Sequence, residues 1–160
     1  MGVYDHLRLP AGMAAEFIGV FMRAEYALKC ARFCKEQGGA ASADWDGFAE
    51  HISAKFDDLS DARFRESVAY LIACPPRKQT LTDGHLSWKN APPPIDKPAS
   101  FQALLMVRRV RNNLFHGGKF GEYRDDFYGP NRDEKLVDAA NTVLVNSIAL
   151  DELVARMYRT

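Results

Sequence analysis

Apolar side chains recur every third or fourth position through most of this chain, and that spacing selects helix over strand. Between residues 11 and 37 the stripe is Ala14, Phe17, Phe21, Ala24, Leu28 and Ala31. It predicts one long helix whose core side alternates large and small residues, which suits the close approach of another helix. Gly38 and Gly39 are expected to end it by supplying backbone angles that other residues resist. Asp44 is placed to cap a second helix carrying Trp45, Phe48, Ile52 and Phe56. A third is expected from about Asp61, with Phe64, Val68, Leu71 and Ile72. It stops before Pro75, whose ring removes a donor and restricts the residue before it.

Residues 75–98 hold six of the eight prolines and show no sustained period, so they read as a long loop. A loop of that length often lies over a site or an interface, pinned here by Trp88; a tolerated insertion with one packing aromatic is the equal alternative. Ser100 is the expected cap of the next helix, 101–116, with Ala103, Val107, Val110 and Leu114 inward and Gly117 and Gly118 closing it. A segment rich in Gly, Asp and aromatics leads to a last long helix from about Asp133 to Arg159, bearing Leu136, Ala140, Val143, Ser147, Leu150, Val154 and Met157 on one face. With no convincing strand pair or internal repeat, the expected fold is all-α, a single domain over residues 1–160 in which two long helices and several shorter ones form a bundle.

The 160 residues suffice for a core without metal or disulfide staples. No run approaches a membrane span, and the opening MGVYDHLRLPAGM lacks the basic start and apolar run of a signal peptide, so a cytoplasmic location is expected. Cys30, Cys34 and Cys74 offer neither a disulfide framework nor a zinc ligand set, and Cys30 and Cys34, one helical turn apart, are read as small packing residues. Formal net charge is zero, yet residues 97–121 contain Lys97, Arg108, Arg109, Arg111 and Lys119 with no Asp or Glu, while acids gather elsewhere, as at Asp57, Asp58 and Asp61. A locally basic surface on a neutral protein is therefore expected.

On an ideal helix Arg109, Asn112, Asn113 and His116 fall opposite the apolar stripe, and Arg111 lies to one side beside Phe115. His116 lies five positions after Arg111, so the two project roughly 140° apart. Either His116 turns back at the frayed end, or a second copy of the helix supplies the missing group. Arginine offers phosphate a planar, permanently charged fork, and histidine exchanges a proton near neutrality. These are the groups that metal-free RNA cleavage requires: a base for the ribose 2′-hydroxyl and positive charge for the developing phosphorane.

The element Arg111-Asn112-Asn113-Leu114-Phe115-His116, an Arg followed after four residues by His with a polar residue directly behind the Arg, resembles the signature of the HEPN superfamily. RAEYALKCARF at 23–33 is similar to the first helix of bacterial HEPN-like proteins, and the succession of PPRKQ, a tryptophan-containing loop and VRRVRNNLFHGGK extends the resemblance over most of the chain. The resemblance implies a helical bundle that dimerises so that two motif helices make a composite cleft, and a metal-independent endoribonuclease without a cofactor, acting as a toxin or in phage defence. Carried onto this chain, Arg111 stabilises the scissile phosphate, His116 transfers protons and Asn112 orients them. Arg108, Arg109, Asn113 and Lys119 are the accompanying RNA-binding candidates. Implied partners are a second copy, RNA, and an antitoxin or other regulatory protein. Some HEPN-like proteins are noncatalytic and bind RNA, nucleotides or partners instead. Toxins of the superfamily that are controlled by modification carry a tyrosine two residues after the His; this chain has Gly118 there, and Tyr123 is too far along to replace it.

Each of these residues also has a plainer reading. His116 can simply end a helix, its charged form gaining roughly 0.3 to 1 kcal/mol from the last carbonyls. Arg108 and Arg109 can be solvated, whereas Arg111 flanks the apolar face and should be partly buried with a partner. Glu25 and Lys29 read most simply as a surface pair, with Glu25 reaching Arg111 as the alternative. His6, His51 and His85 show no ligand spacing, and Arg124, Arg132, Arg156 and Arg159, with acids nearby, are expected on a solvated face, a wider RNA track being the alternative.

Overall fold

Changes of chain direction that the apolar periodicity does not announce decide the architecture. The computed structural model describes residues 2–117, 119–120 and 131–160. Its helices are α1 (Ala11–Cys30), α2 (Trp45–His51), α3 (Ser53–Asp58), α4 (Ala62–Ala73), α5 (Ala99–Phe115), α6 (Arg132–Ala149) and α7 (Glu152–Arg159). Its strands are β1 (Cys34–Gln37), β2 (Ala40–Ala43), β3 (Lys78–Thr82) and β4 (His85–Lys89), paired β1 with β2 and β3 with β4 in two antiparallel two-stranded sheets. The fold is thus mixed α/β, and the expectation of an all-α bundle is corrected.

The first correction lies at the end of α1. The helix stops at Cys30 and not near residue 37, because Arg32 adopts a left-handed φ of 69°. The amide of Phe33 then donates back to the Leu28 carbonyl at 3.0 Å, closing the helix end in the manner usually reserved for glycine. Phe33 and Leu28 are both buried, so the apolar contact that accompanies such an end holds Arg32 in place. Gly38 and Gly39, with φ of 59° and 80°, do not stop a helix. They form the two-residue turn between β1 and β2, where both central residues need positive φ.

Asp44 caps as expected, its carboxylate accepting from the Gly47 amide; α4 starts where expected, and there the Asp61 carboxylate accepts from the Phe64 amide at 2.8 Å. The second expected helix is divided at Ile52, and the last is divided at Leu150 and Asp151, where Asp151 becomes extended and caps α7 by accepting from Val154. Ser100 does not cap α5. It sits inside the first turn, fully buried, and its hydroxyl donates to the Ala49 carbonyl at 2.8 Å. Within the proline-rich stretch, Asp83 and Gly84 take φ of 49° and 77° and turn β3 into β4, so the expected loop contains a hairpin; Trp88 lies half-buried on β4 opposite Gln79.

Helix α6 packs against α1, α4, α5 and α7, and the core runs through Phe17, Phe21, Phe48, Phe56, Phe64 and Leu144. Aromatic pairs tie the short elements to it, with Phe21 stacked on Trp45 at 5.0 Å and Phe33 edge-on to Phe48 at 5.2 Å. Cys30 and Cys34 are exposed, which corrects their reading as packing residues, and Cys74 is half-buried. Among the described residues no helix is long and apolar enough to cross a membrane.

Candidate functional site

Burial of Ala103, Leu104, Met106, Val107 and Val110 fixes the rotation of α5 and sends its polar side chains to two opposite flanks. Arg109 and Asn113, one turn apart, go to the proline-rich side. The Arg109 guanidinium donates to the carbonyls of Pro76, at 3.2 Å, and Ala91, while the Asn113 amide donates to the Arg77 carbonyl at 2.9 Å. Burial lowers the pKa of Arg109 from its ordinary value. Asn113 is itself buried. These two RNA-binding candidates therefore hold down the segment around β3 and β4.

Arg108, Arg111 and Asn112 go to the other flank. The Arg111 guanidinium lies 4.7 Å from the centre of the Phe21 ring, 3.5 Å from Glu25 Oε1 and 3.0 Å from Asn112 Oδ1. Its side chain is 27% exposed, which meets the expectation of a partly buried arginine with a partner. Glu25 thus reaches across to α5, the less simple of its two expected readings. Arg108 donates to Asp46 at 2.9 Å, and Lys35 on β1 donates to Asp44 at 3.1 Å. The hydrogen bond from Lys35 is the largest influence holding the Asp44 carboxyl below its usual range.

Between these groups and the β1–β2 hairpin opens a polar cleft of about 490 Å³. It is lined by Arg108, Arg111 and Asn112 from α5, by Glu25 from α1 and Trp45 from α2, and by Lys35, Glu36, Gln37, Ser42 and Ala43 from the hairpin. Sequence reading misses the hairpin side altogether. The available signal was the Gly38-Gly39 pair, a two-residue turn dipeptide as much as a helix stop.

His116 is not among the described residues lining that cleft. It is the exposed C-terminal cap of α5, with its ring perpendicular to that of Phe115 at 5.5 Å, and Gly117 follows with φ of 74°. Arg111 and His116 therefore diverge within one chain, as the helical spacing predicts. Lys119 is buried; its ammonium pairs with Asp133, and its carbonyl accepts from the Arg8 amide at 3.1 Å. Burial lowers its pKa, and the Asp133 carboxylate opposes that effect. Lys119 thus ties the N-terminal segment to the start of α6. Arg132 is also buried, donating to the Pro75 carbonyl at 2.9 Å, which corrects its placement on a solvated face; Arg156 and Arg159 are exposed.

Gly118, Tyr123 and Arg124 lie outside the described residues. His51 bonds Asp151 at 3.0 Å in a structural pair with Arg32. Among the described residues no three His, Cys, Asp or Glu side chains gather where they would hold a metal ion. In comparisons with known proteins, no family model, curated protein or solved structure matches this chain.

Proposed function

We propose that this chain is a metal-independent endoribonuclease of HEPN type that acts as a homodimer in the cytoplasm, with the motif helices α5 of two copies bordering one site. The observation that carries this reading is the state of Arg111. It is half-buried over Phe21, steadied by Glu25 and Asn112, and set on the wall of an open polar cleft, while His116 ends the same helix with its ring exposed. An arginine so held is oriented before a phosphate arrives, which is where electrostatic catalysis gains most. A second copy supplies the imidazole that one chain directs elsewhere. Dimerisation is supported by exposed apolar side chains on α1 and α5, where Met22, Tyr26 and Phe115 are 64%, 60% and 69% exposed.

In the reaction, His116 removes the proton of a ribose 2′-hydroxyl, whose oxygen attacks phosphorus. Arg111 neutralises the charge that gathers on the phosphorane oxygens. The 5′-oxygen of the next nucleotide leaves with a proton, giving a 2′,3′-cyclic phosphate and a 5′-hydroxyl. The test is digestion of single-stranded RNA in EDTA. Wild type is expected to leave cyclic ends, and Arg111→Ala and His116→Ala each to abolish cleavage with unchanged circular dichroism; activity that needs added metal or survives both substitutions overturns the reading. A role as a toxin or in phage defence predicts growth arrest on expression, relieved by a partner protein.

A second reading, a noncatalytic RNA-binding module, is favoured by a specific feature. Each cation of the cleft already has an acid beside it, Glu25 for Arg111, Asp46 for Arg108 and Asp44 for Lys35. Under this reading wild-type protein protects bound RNA in the same digestion.

A further inference from the structure

We infer that the β1–β2 hairpin is a base-reading wall: the cleft takes one nucleotide of single-stranded RNA with its phosphate toward Arg108 and Lys35 and its base edge against Gln37 and Ser42. This deepens the RNA reading of the cleft and rests on it. In the hairpin register Lys35 lies opposite Ser42 and Gln37 opposite Ala40. Cross-strand partners share a face, and side chains two apart on a strand share one too, so Lys35, Gln37 and Ser42 project together. All three line the cleft, as does Glu36, which alternation puts on the other face of β1.

The two walls differ in chemistry. The α5 wall is cationic, while the hairpin wall carries, beside the charges of Lys35 and Glu36, the Ser42 hydroxyl across from Lys35 and the Gln37 amide nearer the turn, neutral groups that both donate and accept. A cleft of about 490 Å³ lies within the range of small-ligand sites. Trp45 is buried and stacked on Phe21, so it offers the base an edge and no free face. Selection then falls to hydrogen bonds at the base edge, the usual mode for unpaired RNA. The acids beside Arg108 and Lys35 do not bar a phosphate. Asp46 is half exposed and Lys35 nearly so, and exposed pairs of this kind exchange partners easily.

The test measures binding of four labelled single-stranded homopentanucleotides to full-length His116→Ala protein in EDTA, so that turnover does not intrude. The best and worst bases are expected to differ by about tenfold, the discrimination that one good bidentate contact supplies. Gln37→Ala combined with Ser42→Ala flattens that order, and Gln37→Glu rearranges it, because a carboxylate has lost the amide's donor. Lys35→Ala weakens all four alike and lowers the salt dependence by about one phosphate contact. The inference is overturned if wild-type hairpin residues give no base preference, if the order survives both Gln37 variants in folded protein, or if no RNA binds. Cleavage is scored separately in His116-containing protein. Selective binding without cleavage sinks the nuclease and leaves the base-reading wall standing; cleavage whose preference ignores Gln37 and Ser42 does the reverse.

Discussion

Single side chains in this molecule do two jobs at once, and Asp151 shows it most clearly. One carboxylate oxygen accepts from the Val154 amide at 2.9 Å and so starts α7; the other receives His51 at 3.0 Å and Arg32 at 3.2 Å. Burial by itself would raise the Asp151 carboxyl, but the Val154 amide, the His51 hydrogen bond and the charges of Arg32 and His51 outweigh it and hold the group below its ordinary value. A carboxyl whose folded pKa is depressed stabilises the fold above its unfolded value and loses that contribution as pH falls through the folded one. Asp151→Asn keeps an oxygen that can cap α7 but removes the charge facing His51 and Arg32, and is therefore expected to lower the melting temperature at pH 7. The gap to wild type should narrow as the pH falls below the ordinary carboxyl value of about 4, and close only below the depressed folded value, where the wild-type carboxyl also takes up its proton. Thermal melts of both proteins between pH 7 and pH 3 check this; a gap that widens in acid contradicts it. Arg32, the exposed partner, contributes less through its charge than through its backbone, because its left-handed φ is what releases the chain from α1 into the hairpin.

At the scale of elements, the sequence announces where helices begin better than where they end. Asp44 and Asp61 are legible because a short acid ahead of an apolar stripe has one efficient use, acceptance of a first-turn amide. The end of α1 is illegible because the left-handed position is filled by Arg32, which gives no signal, while the glycines that do signal stand six and seven residues later. The strands are hard to see for a related reason. CKEQ and AASA contain no β-branched or aromatic residue and no alternation, and β3 and β4 are framed by prolines that read as loop. Of the α5 half of the candidate site, helical spacing gives the divergence of Arg111 and His116 but not the parting of Asn112 from Arg109 and Asn113, nor the burial of Asn113, which that spacing puts opposite the apolar stripe. The hairpin half required knowing that Gly38 and Gly39 turn a strand. Their role is separable by mutation. An added methyl at either glycine meets nothing within 4 Å, so Gly38→Ala or Gly39→Ala costs only the backbone strain of positive φ, roughly 1 to 2 kcal/mol. Urea unfolding is expected to register that loss. A neutral result would mean that the turn is not held in this conformation.

For the whole molecule, the proposed nuclease site requires that groups diverging on one helix meet. Arg111 faces the cleft beside Phe21, and His116 lies exposed past the last turn of α5, next to Phe115. Bending the helix end back would expose Leu114, now half-buried, and would break the bond from the His116 amide to the Asn112 carbonyl at 2.9 Å. A two-fold pairing through Met22, Tyr26 and Phe115 asks for neither change, and it covers side chains that a monomer leaves in water. Phe115→Asp is therefore expected to give a folded monomer without cleavage, as read by size-exclusion chromatography and RNA digestion. The origin of the two groups is then tested by mixing. Arg111→Ala retains its own imidazole and His116→Ala its own guanidinium, so a site built in trans regains one working pair in each mixed dimer. With free exchange half of the dimers are mixed and each holds one of two pairs, so activity recovers to about a quarter of wild type. If both groups act within one chain, every mixed dimer lacks one member at each site and mixing restores nothing.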